Sequence, residues 1–91
     1  MHLSWTDEAR EDLRRVHYFL ALKSPGAASR AVDALIVAPL RLLDQPRAGA
    51  IVESMLPQEV RRILVGHYEL RYDIVGDVIR VLRIFHMREE R

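Results

Sequence analysis

The sequence has no cysteine, so it has no disulfide framework, no thiolate metal site and no cysteine nucleophile. Lysine is almost missing too: Lys23 is the single one, and the remaining basic charge is arginine. No apolar run approaches the roughly 18 residues of a membrane span, and no membrane partner is expected. The opening residues Met1-His2-Leu3-Ser4-Trp5-Thr6-Asp7 do not read as a signal peptide. An excess of one charge is also lacking. Lys and Arg number 14 against 13 Asp and Glu, a formal +1, unlike a strongly basic non-specific nucleic-acid binder. What is present is 91 residues, 49% of them hydrophobic, an ordinary globular composition that excludes a disordered chain. A chain of this length buries only about 60–65% of its unfolded surface, so the core must be compact. The expectation is one domain, residues 1–91, soluble and cytoplasmic.

The apolar spacing changes period near the middle of the chain. From Thr6 to Asp44 it is helical, and from about Gln58 to His86 it alternates in twos, the pattern of an α+β domain. No internal repeat or low-complexity tract is visible. His2 to Trp5 reads as a short strand. Thr6 then caps a helix with Asp7 and Glu8 in its first turn, where negative charge favours the dipole. Ala9, Leu13, Val16 and Leu20 form one stripe, and this helix should end near Leu22 or Lys23. Ser24-Pro25 is a second helix start. The second helix carries Ala28, Ala31, Leu35 and Leu42, and also Val32, Ile36, Val37, Leu40 and Leu43, an apolar surface wider than one stripe. Pro39 should kink or split it, and Pro46 marks its stop. Gly49 to Pro57 reads as a linker with room for a short strand at Ile51–Met55.

The last third alternates clearly. Tyr68, Leu70, Tyr72 and Ile74 interleave with His67, Glu69, Arg71 and Asp73, as in a half-buried strand. A tight turn at Gly76-Asp77 sets Val75 against Val78, Ile74 against Ile79, Asp73 against Arg80 and Tyr72 against Val81. A second turn at Val65-Gly66 would set Arg62 opposite Glu69. The resulting meander has two faces. Ile63, Tyr68, Leu70, Tyr72, Ile74, Ile79, Val81 and Phe85 should lie under the helices. Arg62, His67, Glu69, Arg71, Asp73, Arg80 and His86, with Leu64, Val78, Leu82 and Ile84, form the other face. That face is either solvated or a binding surface for an anionic or protein target. Arg61 and Arg83 break the alternation. Either they sit at an edge and reach around the sheet, or a bulge has shifted the register.

Five segments then stand in a telling order. Trp5-Thr6-Asp7-Glu8-Ala9 with Asp12-Leu13 opens the chain, and Ser24-Pro25-Gly26-Ala27-Ala28 joins the helices. Leu42-Leu43-Asp44-Gln45-Pro46-Arg47-Ala48-Gly49 follows. Arg61-Arg62-Ile63-Leu64-Val65-Gly66-His67-Tyr68-Glu69-Leu70-Arg71-Tyr72 comes next, and Val81-Leu82-Arg83-Ile84-Phe85-His86 precedes a short charged tail. No single piece is diagnostic, but the ordered set, over nearly the whole chain, resembles the RelE/ParE superfamily of toxins from type II toxin–antitoxin systems. The resemblance implies the RelE-like fold, β-α-α-β-β-β, with a helical hairpin on one face of a mostly antiparallel twisted sheet. It also implies a small cognate antitoxin whose C-terminal segment wraps the toxin.

The superfamily divides by activity. RelE-like members cut mRNA in the ribosomal A site; ParE-like members are described as inhibitors of DNA gyrase. RNA cleavage needs groups that move a 2′-hydroxyl proton and stabilise the phosphorane. RelE-type enzymes use lysines and arginines on the central strands and a tyrosine near the C-terminus. Here Glu69 follows Tyr68 where those enzymes often place an arginine, and no tyrosine follows Tyr72. These departures point to the ParE-like branch, a toxin that binds DNA gyrase and is not itself an enzyme. The alternatives are a ribosome-dependent mRNA interferase using Arg62, Arg71, His86 and Arg88, and an inactive binding module of the same fold.

His86 is the residue that keeps the nuclease open, because histidine titrates near neutral pH; its other reading is structural. His67 at a turn reads as exposed. His2 and His17 show no metal-ligand spacing, and neither a metal nor a cofactor is expected. Target-binding candidates are Arg62, Arg71, Arg80, His86 and Arg88, together with the tail from His86 to Arg91. Residues 60–88 hold six arginines against three acids, so the near-neutral total hides a basic sheet. Antitoxin-binding candidates are Leu13, His17, Leu20, Val37 and Leu40, and a higher-order toxin–antitoxin oligomer is compatible with them.

Overall fold

The computed structural model describes residues 1–88. Strand β1 (His2–Trp5) leads into helix α1 (Asp7–Ala21), and helix α2 (Pro25–Val37) continues as a 3₁₀ stretch, Ala38–Leu43. Strand β2 (Ala50–Ile51), a 3₁₀ turn (Glu53–Met55) and strands β3 (Arg61–Val65), β4 (Tyr68–Val75) and β5 (Val78–His86) complete it. The five strands form one sheet in the order β1-β5-β4-β3-β2. β1 runs parallel to β5, and every other pairing is antiparallel.

The local signals explain the helices. The Thr6 hydroxyl accepts from the Ala9 N–H at 3.1 Å and donates to the Leu82 carbonyl at 2.9 Å, so the α1 cap is also a tie to β5. The Ser24 hydroxyl accepts from the Ala27 N–H at 3.2 Å, with Pro25 in the first turn. Pro39 has no N–H to offer, and the α-helix gives way to the 3₁₀ stretch at Ala38. The hairpin of α1 and α2 covers one face of the sheet. Ala9, Val16, Leu35, Leu42, Ile63, Leu70, Tyr72, Ile79, Val81 and Ile84 form the core between them.

The structure corrects the expected register in two places. β3 and β4 turn at Gly66-His67, with Val65 opposite Tyr68, so Arg62 lies opposite Arg71 and Glu69 opposite Leu64. Gly66 has φ +59°, which glycine adopts without penalty at the first position of such a loop. Between β4 and β5 the expected pairs from Val75–Val78 to Tyr72–Val81 hold. A bulge then intervenes: Arg71 pairs with Arg83, so Leu82 is the extra residue. Beyond it the faces swap. Ile84 turns into the core with no exposed surface, and Phe85 turns to the open face, the reverse of the expected assignment. His86, opposite Tyr68, also lies on the helix side. Arg83 is thus explained by the bulge. Arg61 is not at an edge: as the first residue of β3 it lies between Tyr72 and Ile51, and its side chain donates to the Gly49 carbonyl at 2.8 Å and the Glu59 carboxylate at 2.8 Å. The short strand starts earlier than expected and stops at Ile51; Met55 lies in the 3₁₀ turn.

β1 ends at Trp5, so β5 has an uncovered edge beyond Val81. Asp12 of α1 seals it. Its Oδ2 accepts from the Ile84 N–H at 2.8 Å and from Arg83 Nε at 2.8 Å, while Oδ1 accepts from Arg15 Nη1 at 2.8 Å. Burial alone would raise the Asp12 pKa. The Arg83, Ile84 and Arg15 hydrogen bonds outweigh it and hold the carboxyl below its ordinary value.

Beyond α2, the chain is pinned by Tyr72. Its hydroxyl donates to the Pro46 carbonyl at 2.7 Å and accepts from the Gly49 N–H at 3.0 Å. Burial pushes this phenol above its ordinary pKa, so it stays a neutral donor. A Cβ on Gly49 would lie 2.7 Å from the Arg62 carbonyl oxygen and 2.7 Å from Tyr72 Oη, too close for either to stay in place.

Two predictions follow from these contacts. Gly49→Ala should lower unfolding free energy by about 1–3 kcal/mol in a denaturant titration, the usual cost of overpacking. Asp12→Ala should cost about 2–3 kcal/mol at pH 7, because it orphans the Ile84 N–H and unpairs Arg83. Asp12 is more acidic folded than unfolded. Its contribution is therefore complete above the unfolded value of about 3.9 and is lost as pH falls through the lower folded value. The gap between parent and variant should be constant from pH 7 to about 5 and narrow below about 4.

Candidate functional site

The sequence candidates separate onto different sides of the molecule. Arg62, Arg71 and Arg80 lie on the open face of the sheet. His86 and Arg88 lie on the helix side, and Glu89, Glu90 and Arg91 fall outside the described residues. The expected set of Arg62, Arg71, His86 and Arg88 is therefore not one cluster.

On the open face, Arg62 of β3, Arg71 of β4 and Arg83 of β5 stand side by side in register. Arg83 was not among the candidates; only the bulge brings it here. Glu69 lies among them with its side chain 2% exposed. Its Oε1 accepts from Arg62 Nη1 at 3.0 Å and its Oε2 from Arg71 Nε at 2.7 Å. Phe85 carries both neighbouring cations, with Arg71 Cζ 5.0 Å and Arg83 Cζ 4.8 Å from its ring centroid. Further along, Arg80 makes a two-point pair with Asp73, through Nε to Oδ1 at 2.9 Å and Nη2 to Oδ2. That pairing raises the Arg80 pKa. The acids of this face are thus covered by arginines, and the face is not simply solvated.

On the helix side, a cavity of about 370 Å³ opens between the last turns of α1 and the ends of β4 and β5. Arg15, Val16, Phe19, Tyr68, His86 and Arg88 line it. His86 Nδ1 accepts from the Arg88 N–H at 3.1 Å, so Nε2 carries the ring proton when the imidazole is neutral. The Tyr68 ring meets His86 edge-on with centroids 5.4 Å apart, and exposed His67 stacks on it at 6.2 Å. Arg15 is a cavity residue that the sequence reading did not single out. The i, i+4 spacing from Arg15 to Phe19 was a signal for it.

The helical hairpin exposes apolar side chains at its two ends. Tyr18, Phe19 and Leu22 project from the last turns of α1; Ile36, Val37 and Leu40 project from the end of α2 and the following turn. Of the expected antitoxin contacts, His17, Val37 and Leu40 are exposed, whereas Leu13 and Leu20 are half-buried against the core. Leu13 and Leu20 belong to the stripe that binds the sheet, so the free surface lies one position further round the helix. Among the described residues no His, Asp and Glu side chains gather as metal ligands, and no helix is long and apolar enough to cross a membrane.

Known structures show the same arrangement. A chain from the chromosomal ParDE toxin–antitoxin system of P. aeruginosa superposes with a TM-score of 0.78 at 27% identity, covering 94% of this chain and 95% of that one. A chain of the intact E. coli RelBE toxin–antitoxin complex shares the fold, with a TM-score of 0.61 at 16% identity over 99% of this chain and 98% of that one. No curated protein matches the sequence. The family model for the ParE toxin of type II toxin–antitoxin systems, parDE, matches residues 3–91. The chain belongs to the ParE toxin family.

Proposed function

We propose that this toxin arrests growth by binding DNA gyrase, without chemistry of its own, and that a small cognate antitoxin neutralises it. Family membership supports the reading. The observation that carries it is the division of the nuclease candidates: Arg62 and Arg71 stand on one face of the sheet, and His86 and Arg88 on the other side. A general base and the cations that would stabilise a phosphorane must converge within hydrogen-bond reach of one reacting group. Those four side chains do not. The open face, with its arginines and apolar neighbours, has the composition of a protein-binding surface.

The antitoxin reading rests on the exposed apolar ends of the hairpin. Side chains such as Leu22, 70% exposed, and Val37, 61% exposed, gain from cover that the small core cannot supply. An amphipathic helix laid on the hairpin is the partner such positions suit.

A second reading, ribosome-dependent mRNA cleavage, draws on one feature: His86 shares its cavity with Arg15, Arg88 and Tyr68. On that reading Arg15 replaces Arg62 and Arg71 in the phosphate-binding role.

Purified toxin should block supercoiling by gyrase at micromolar concentration, and an unaffected enzyme would sink the gyrase reading. Toeprinting on translating ribosomes should show no new mRNA ends; ends that vanish with His86→Ala would establish the interferase instead. The paired variants Phe19→Ser/Leu22→Ser and Val37→Ser/Leu40→Ser should each weaken co-purification with the product of the adjacent gene. Unchanged recovery of both would place the antitoxin elsewhere.

A further inference from the structure

We infer that the open face of the sheet docks an acidic protein segment that also carries an apolar side chain, and that Glu69 is the internal carboxylate which holds and screens that site. The inference rests on the reading that this toxin acts by binding a protein.

The arginine row is the first observation. Arg62, Arg71 and Arg83 occupy directly opposed positions on three adjacent strands. Like charges so placed destabilise a sheet. Among the described residues Glu69 bridges Arg62 and Arg71, and Asp12 accepts from Arg83 and Arg15. Local rules broken in this way concentrate at functional surfaces.

The second observation is which corners of the guanidiniums are used. Arg62 gives Glu69 one Nη1 bond, and Arg71 gives it one Nε bond. The Nε/Nη2 pair of Arg62 and the Nη1/Nη2 pair of Arg71 have no hydrogen-bond partner among the described residues. Each pair is a two-nitrogen fork, the shape that takes a carboxylate bidentately. Two such forks on opposed residues offer places for two carboxylates of one segment.

The third observation decides between protein and nucleic acid. Leu64 stands two residues from Arg62 on the same face of β3, opposite Glu69, and is 55% exposed. A phosphodiester backbone has no apolar group to lay on it, and leucine has no flat ring for a base to stack on; an apolar peptide side chain packs there. Arginine forks beside a bare leucine fit an acidic segment with an apolar residue between or beside its acids. In the free toxin Glu69 neutralises one of the two cations, so it tempers attraction for any polyanion and keeps the forks in place.

The test uses the full-length toxin and fluorescence anisotropy. The probes are a labelled twelve-residue peptide of alternating Glu and Leu, its Glu/Ser counterpart, and an oligo-dT of twelve nucleotides. The Glu/Leu peptide should bind tightest and weaken several-fold between about 50 and 200 mM salt. Arg62→Ala and Leu64→Ser should each weaken it at least about five-fold, and Glu69→Gln should tighten it by a similar factor. Arg10→Ala, on the solvent side of α1, should change it less than about two-fold. Oligo-dT binding as tight as the peptide, with Leu64→Ser silent, would overturn the proposal in favour of a nucleic-acid surface. Silence of Arg62→Ala would overturn it outright. If Glu69→Gln fails to fold, Arg62→Ala and Leu64→Ser carry the test, since both side chains are largely exposed. Supercoiling measured on the same samples separates the two claims. Peptide binding with unaffected gyrase removes the target and leaves the surface; inhibited gyrase with no peptide binding does the reverse.

Discussion

The Asp12 carboxylate is the interaction on which the arrangement of this sheet depends. β1 covers β5 only as far as Val81, and past that point the outer backbone groups of β5 would lie bare against α1. Asp12 accepts the Ile84 N–H and draws in Arg83 and Arg15. Thr6, at the head of the same helix, binds the Leu82 carbonyl. The bulge at Leu82 lies between these two anchors. A side-chain ladder on α1 thus replaces the missing strand and fixes the helix to the sheet. Its buried charge is held by three donors, which is what makes a nearly enclosed carboxylate tolerable.

The bulge has functional weight because it reassigns faces. With an unbroken register, Phe85 would lie under the helices and Ile84 in the open. With one extra residue, Ile84 joins the core, His86 follows it to the cavity beside α1, and Arg83 and Phe85 join Arg71. One residue of slippage therefore separates the histidine from the arginines. The same step completes the arginine row, so a single backbone irregularity sets the composition of both surfaces.

Features governed by near neighbours in the chain could be read from the sequence. Thr6 and Ser24 cap the helices as expected, Pro39 breaks the second, and the Gly76 turn sets its hairpin. The β3–β4 turn lies one residue later than expected, which shifts the pairing by two, because Val65-Gly66 and Gly66-His67 both offer a glycine. A shift of two changes partners but not faces, so Arg62 and Arg71 were still assigned to the open side. The bulge was different. It sits beside a contact between Asp12 and residues 83 and 84, some seventy positions away, and alternation carries no record of that. His86 and Phe85 lie on faces other than the alternation gives for this reason. Leu13 and Leu20 are half-buried against the core, and a stripe marks what is apolar without saying how much of it stays free.

The sealed edge also bears on self-association. Bare strand edges are templates for adding another copy of the chain, and sheets that leave them open aggregate. Here the terminal strands are short, four residues in β1 and two in β2. The exposed stretch of β5 has backbone groups already taken by Thr6, Asp12 and Arg15. The described chain therefore presents no long free edge along which copies could stack into fibres. A protein whose surfaces are rich in apolar and arginine side chains is thereby protected from the commonest route by which such surfaces become insoluble.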